Sequence, residues 1–256
     1  MKLRIALVSY INTRPFTDGL RKSFSLEELE LQLRPPAECA RALAMGTCDM
    51  ALIPVGSLID FTNIRIIGEY CIGADGAVDS VFIFSQRPIE ECTHLRLDQH
   101  SRSSNGLARI LLKHYWHNPL PHSVPEKRDF SLIQGNTAGV AIGDRAYQIR
   151  DQFAYVYDLA QVWKDWTGLP FVFAVWAYDP QRVSFAQLEQ VRKGLQTGLL
   201  DRKGSARRWA QRYDYTIPQA EKYLTESISY ELNGPKQDAL RRYFAGLREL
   251  DLALQT

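Results

Sequence analysis

Trp163-Lys164-Asp165-Trp166-Thr167-Gly168-Leu169-Pro170-Phe171-Val172-Phe173-Ala174-Val175-Trp176 is the stretch from which the architecture is read. Trp163 and Trp166 lie three apart on one helix face, and Gly168 followed by Pro170 stops that helix. The apolar run Phe171 to Trp176 follows. It is short, rich in aromatic and β-branched residues and bounded by turn signals, which predicts a strand buried on both faces. Such a strand is either a plain core strand or a crossover beside a ligand cleft, carrying the chain from one lobe back to another.

Toward the amino terminus, strands and helices alternate. Leu3 to Tyr10 is mostly apolar and predicts a central strand, and Pro15 suits the first position of the helix that follows. Glu28 to Arg34 alternates strictly, as a half-exposed strand does. Helix Ala37–Met45, strands 49–55 and 64–70, and strand Asp79–Ser85 complete a first set, which Arg87-Pro88 ends. A second set holds a strand near 95–98, a helix 105–116, strands near 139–144 and 154–157, and the quoted stretch. Beyond it the pattern is helical. Ser184 and Gln187 form a capping box for a helix to about Leu200, with further helices near 205–213, 218–227 and 235–254.

Two α/β sets predict an α/β fold of two lobes with a cleft between them. One lobe is expected from residues 1–86 with 176–256 and the other from 87–175. Alternation implies mostly parallel sheets, whose ligands sit at the carboxyl ends of strands. Three polar clusters occupy that position: Ser9–Arg14, Asp98–Ser104 and Gly143–Arg145.

The bulk numbers narrow the function. With 256 residues, 45% hydrophobic and 23% charged, the composition is globular. A net charge of +2 offers no basic field for nucleic acid. No span approaches membrane length and no secretory core is present, so a cytoplasmic protein is expected. Cys39, Cys48, Cys71 and Cys92 form no CxxC pair and read as buried reduced thiols. All five histidines fall between His94 and His122, without zinc-site spacing. His114 and His117 share a helix face without an acidic neighbour in the sequence, which suits a surface role. The sequence does not set the oligomeric state.

Ser101-Arg102-Ser103-Ser104 opens a helix, where N–H groups, hydroxyls and a guanidinium converge. That suits a carboxylate or phosphate, or equally an N-cap with an exposed arginine. Asn12 and Thr13 either bond a ligand or cap the helix at Pro15. Ser80 follows Gly76-Ala77-Val78-Asp79, where glycine permits close backbone approach; the alternative is a loop glycine and a strand serine. Asp144 after Gly143 is either a helix cap or a cleft acid. No nucleophile elbow, phosphate loop, dinucleotide fingerprint or paired-carboxylate motif occurs. The residues by themselves predict a binder of a small anionic ligand.

A resemblance goes further. Val8-Ser9-Tyr10-Ile11-Asn12-Thr13-Arg14-Pro15, Cys71 to Val81, Leu97 to Ser104, Ile142-Gly143-Asp144-Arg145-Ala146 and the quoted stretch look like the blocks of the chorismate dehydratase family, in the family's order and across roughly residues 3 to 176. Ile11 stands where leucine is common and Ser103-Ser104 where threonine-serine is usual, both conservative. The sister 1,4-dihydroxy-6-naphthoate synthases typically carry a Ser-Pro-Cys-Pro-Asn-Asp opening and a catalytic histidine, and neither is evident.

The resemblance implies a type II periplasmic-binding-protein-like fold without export, and loss of water from chorismate as a step of menaquinone biosynthesis by the futalosine route. It implies a small-molecule substrate and no metal or redox cofactor, with no nucleic-acid or membrane partner. Asn12 and Ser80 match the family's active-site asparagine and serine. Ser9, Ser101, Ser103, Ser104, Asp144, Thr167 and Gly168 are the further substrate-binding candidates. A non-enzymatic anion binder and the sister synthase are the competing readings.

Overall fold

The computed structural model describes residues 2–127 and 129–252. The chain forms two compact units, Met1–Gly73 with Phe173–Leu232, and Ala74–Val172 with Asn233–Thr256. Each is built on one mixed sheet.

The first unit carries strands β1 (Leu3–Val8), β2 (Leu29–Arg34), β3 (Met50–Pro54) and β4 (Arg65–Ala74). In the second lie β5 (Val81–Ser85), β6 (His94–Arg96), β7 (His122–Ser123), β8 (Thr137–Ile142) and β9 (Tyr155–Asp158). The chain then enters β10 (Phe171–Tyr178) and later β11 (Ser229–Glu231), so the first sheet has the order β11-β4-β10-β3-β1-β2 and the second β7-β6-β8-β5-β9. Helices α1 (Arg14–Ser23) and α2 (Pro36–Ala44) belong to the first unit. Helices α3 (Arg102–His114), α4 (Gly143–Ile149) and α5 (Leu159–Thr167) belong to the second. The carboxyl-terminal part adds α6 (Phe185–Leu200), α7 (Arg202–Trp209) and α8 (Ile217–Lys222) to the first unit, and α9 (Gly234–Leu252) to the second. The last two residues expected for α9, 253 and 254, lie outside the described residues.

β10 is the buried strand its composition predicts: all eight residues are buried. It lies between β4 and β3, antiparallel to β3, with Val175 opposite Ile53. Trp176 packs edge-on against Phe16 of α1, 5.4 Å between centroids. β1 runs parallel to both β2 and β3, as strands joined by helical crossovers do. β10 reaches the first sheet from the second unit, with no crossover inside that sheet, and so is free to run antiparallel. The same holds for β5, antiparallel to β8 and β9. The sheets are mixed where mostly parallel ones were expected.

β5 also moves the unit boundary. It was expected to close the first lobe, yet Phe82 faces Ala141 and Asp158 in the second sheet. Residues 233–252 likewise pack with the second unit: Tyr243 of α9 bonds α3 and stacks edge-on with Phe171 at 5.3 Å. The chain therefore passes between units at 73/74, 172/173 and 232/233, where two crossovers near 85–88 and 173–176 were expected. His114 also departs from the sequence reading, lying 3.2 Å from Glu249 of α9.

Among the described residues, no helix is long and apolar enough to cross a membrane. All four cysteines are free and buried.

Candidate functional site

In the first unit the candidate residues sit where β1 ends. Ser9, half-buried, continues the ladder through its N–H to the Arg34 carbonyl at 3.1 Å. A 3₁₀ turn, Ile11–Thr13, then leads into α1. Thr13 holds this turn: its hydroxyl contacts the carbonyls of Val8 at 2.6 Å and Tyr10 at 2.9 Å. This settles Thr13 as a staple of the turn; its side chain caps no helix N–H.

Asn12 is buried and gripped twice. Its Nδ2 donates to the Tyr223 hydroxyl at 3.3 Å, and its backbone carbonyl accepts from the Tyr230 hydroxyl at 2.9 Å. Arg14, also buried, donates through Nε to the Tyr213 hydroxyl at 2.5 Å, with its guanidinium 4.7 Å over the Trp209 ring. Four aromatic residues from the carboxyl-terminal region thus fix a turn made near residue 12. Sequence reasoning gave that region no part in the site.

In the second unit, sheet register gathers the candidates at one edge. Val81 pairs with Ile142, which sets Ser80 beside Gly143, and the Gly143 N–H donates to the Ser80 carbonyl at 2.8 Å. Phe82 pairs with Asp158, so β9 ends at the same edge. The Asp158 carboxylate organises the approach to Ser80. One oxygen accepts from the N–H groups of Val78 (2.9 Å) and Asp79 (2.7 Å), the other from those of Ala160 and Gln161 at the start of α5. Burial pushes this carboxyl up to about 6, against the four N–H donors, which favour the charged form. Held this way, Asp79 adopts φ of 60°, a left-handed conformation that aspartate tolerates better than most residues. Gly76 at φ of 117° makes the turn beneath it.

β6 runs parallel to β8, so the start of α3 also lies on the carboxyl side of that strand. Ser101 is the N-cap, accepting from the Ser104 N–H at 3.2 Å, and its hydroxyl donates to the Ser104 hydroxyl at 2.8 Å. The cap alternative therefore holds for Ser101. Ser103 and Ser104 are buried in the first turn, and the Ser103 carbonyl accepts from Tyr243 at 3.0 Å. Gly106 permits that approach: a Cβ there would stand 2.6 Å from the Tyr243 oxygen. Asp98 is locked to Asn105, which accepts from its N–H at 2.9 Å and donates to its carbonyl at 2.7 Å.

Asp144 is not the cap of α4. Ile142 occupies the cap position of α4 and Asp144 lies in the first turn, where its charge suits the positive helix end. Thr167 and Gly168 belong to the other end of α5, about 13 Å along the axis from Asp158. The Thr167 hydroxyl donates to the Trp163 carbonyl at 2.7 Å and accepts from the Leu169 N–H at 3.1 Å. Gly168, at φ of 71°, closes the helix through its N–H to Lys164. The structure thus brings Ser80, Gly143 and Asp144 together at one edge with the α3 serines, and sets Thr167 and Gly168 apart as a helix stop.

Asp158 and Tyr223 were missed. Asp158 was legible as an acid just before the helical Leu159-Ala160-Gln161, a cap signal. Nothing local marks Tyr223. A depression of about 620 Å³ in the second unit is lined by Gln86, Phe130, Gln134, Arg145 and Phe153 among others. It includes none of the expected substrate-binding residues.

A family model described as menaquinone biosynthesis matches residues 3–249. A chorismate dehydratase of Thermus thermophilus is 27% identical over 216 residues, 75% of this chain and 77% of that protein. One of Campylobacter jejuni is 27% identical over 167 residues, 64% of this chain and 63% of that protein. Among solved structures, a protein from Archaeoglobus fulgidus superposes with a TM-score of 0.80 at 14% identity, covering 98% of both chains. The periplasmic aliphatic sulphonate binding protein of Escherichia coli gives 0.67 at 12% identity, covering 98% of this chain and 88% of its own. A Candida albicans protein described as having the generic periplasmic binding protein fold gives 0.65 at 12%, covering 96% and 90%. These structural likenesses establish the periplasmic-binding-protein fold.

Proposed function

The chain belongs to the menaquinone biosynthesis family, and from that membership we propose that it dehydrates chorismate to 3-[(1-carboxyvinyl)oxy]benzoate and water, the first step of the futalosine route. The observation that carries this is the family match over residues 3–249, joined to two relatives that are chorismate dehydratases. A cytoplasmic place of action is part of the same proposal.

The chemistry follows from the substrate. The hydrogen on the ether-bearing ring carbon is allylic and conjugated through a double bond to the ring carboxylate. Removing it gives an extended enolate. Expulsion of the neighbouring hydroxyl then makes the ring aromatic, and proton and hydroxide leave as water. The balance is redox-neutral and calls for no electron carrier. The substrate's own enolpyruvyl carboxylate is the proton acceptor in this scheme, as the resemblance implies. The protein's part is to bind two carboxylates and stabilise the enolate. Asn12 and Ser80 are assigned the hydrogen bonds nearest the reacting ring, and Ser103 and Ser104 those to a carboxylate.

Incubating the purified protein with chorismate tests the proposal. The expected product is lighter than chorismate by one water, with an intact enolpyruvyl ether and an aromatic ring by NMR. Unchanged chorismate would identify a binder and overturn the reading. Asn12→Ala and Ser80→Ala should each slow turnover by roughly a hundredfold to a thousandfold, as loss of a preorganised donor does, with near-normal melting. Early melting with turnover intact would show that the two residues serve only the fold.

A further inference from the structure

We propose that Tyr223 is a positioning residue for Asn12, an inference that rests on the substrate-binding role given to Asn12 above. An asparagine amide turns about a soft, roughly two-fold torsion, so a lone Asn12 would present its oxygen and nitrogen in several arrangements. Here Nδ2 donates to the Tyr223 hydroxyl at 3.3 Å. The backbone beneath is held independently by Tyr230, whose hydroxyl donates to the Asn12 carbonyl at 2.9 Å. Asn12, Tyr223 and Tyr230 are all buried, at 9%, 2% and 5% exposure, so water competes weakly for these bonds.

The tyrosine is itself fixed. It opens a π-helical turn, Tyr223–Ser227, continuing α8, and its carbonyl accepts the Ile228 N–H at 3.1 Å. A π turn inserts a residue into the helical register and so redirects a side chain, an arrangement found often at functional sites. The Tyr223 ring stacks on Tyr215, 5.8 Å between centroids and 15° from parallel. The hydroxyl is therefore a stationary acceptor. It takes one amide hydrogen and leaves Oδ1 and the other hydrogen in a single arrangement before substrate arrives, which spares the ordering cost during binding.

Tyr223→Phe removes the acceptor and keeps the ring. Loss of one neutral hydrogen bond predicts a fall in kcat/KM of about two- to tenfold, with the melting temperature little changed. In an Asn12→Ala background the same substitution should lower kcat/KM no further, because its effect passes through Asn12. A second readout is independent of turnover. The Asn12 side-chain amide resonance, assigned by its disappearance in Asn12→Ala, should move toward the position of a freely rotating amide in Tyr223→Phe. An unmoved resonance, or a Tyr223→Phe effect as large without Asn12 as with it, overturns the proposal. A wild-type protein that leaves chorismate unchanged refutes the activity instead, and the amide resonance then decides the positioning by itself.

Discussion

Asp49 shows how one residue ties strand pairing to pH. Its carboxylate, nearly buried, accepts from the Arg4 backbone N–H at 3.0 Å and from Nε and Nη2 of the same arginine at 3.1 and 2.5 Å. Burial acts to raise its pKa, but the bonds and charge of Arg4 outweigh burial and hold the carboxyl below the usual range. An unfolded aspartate titrates near about 3.9, so the folded state binds fewer protons just below that pH. The stabilisation is present above about pH 4 and lost as pH falls through the lower folded value. The melting-temperature gap between wild type and Asp49→Asn should hold steady from about pH 7 to about pH 5 and narrow below about pH 4. A gap that widens on acidification would show the carboxylate is not favoured by its partner. Residues of this kind were partly legible. Ser101 was readable because a cap is local to the residues it caps, and Asp158 carried the same signal. Asn12 and Ser80 were legible only as two-way alternatives, which the resemblance resolved, since their partners Tyr223 and Gly143 lie 211 and 63 positions away.

Elements were legible in kind and less so in their pairing. The Ser184–Gln187 capping box and the stop at Gly168 stand where the sequence placed them, because each is built within one turn. β5 was assigned to the wrong sheet. Val81-Phe82-Ile83-Phe84-Ser85 would suit any buried strand, and only the distant β8 and β9 settle its membership. β11 was missed because three residues are too few to carry a pattern. The packing of α1 on α6 brings backbone close to backbone just past the Asn12 turn. A Cβ on Gly19 would stand 2.0 Å from the Gly194 carbonyl oxygen, and one on Gly198 1.8 Å from that of Pro15. Backbone cannot yield as a flexible side chain can, so Gly198→Ala should cost about 1–3 kcal/mol or more in a denaturant titration. Because Pro15 lies three residues past Asn12, the shift should also lower turnover. Gly234 opens α9 with nothing within 4 Å of an added Cβ, and Gly234→Ala should stay within about 0.5 kcal/mol of wild type. Equal stability of the two variants would refute the close-packing account.

For the whole molecule, the decisive property is that neither unit is one continuous segment. The chain passes between units three times, and the first sheet waits for β10 before β3 and β4 have a shared neighbour. A fragment of residues 1–172 would keep β1 to β4 yet lack the strand between β3 and β4, together with Tyr223 and Tyr230. The β3-β1-β2 sheet would expose an unpaired edge at β3, and β4, which loses β11 as well, would have no neighbouring strand. The four thiols report on this directly. In the full chain all are buried, and burial pushes Cys39 up to about 12 and Cys48 up to about 11. Thiolate is the reactive form, so at about pH 8 the native protein should react with an aromatic disulfide reagent only at the slow rate of opening. In the fragment, Cys39, Cys48 and Cys71 should react at nearly the rate of the denatured chain, because the core around them depends on a strand that arrives from the other unit. Cys39 and Cys48 share one cluster with Ala6, Ile53 and Ala177, the last supplied by β10. Thiols that stay protected in the fragment would mean the amino-terminal strands close a core without β10, and the quoted stretch would then be an addition to the fold rather than its centre.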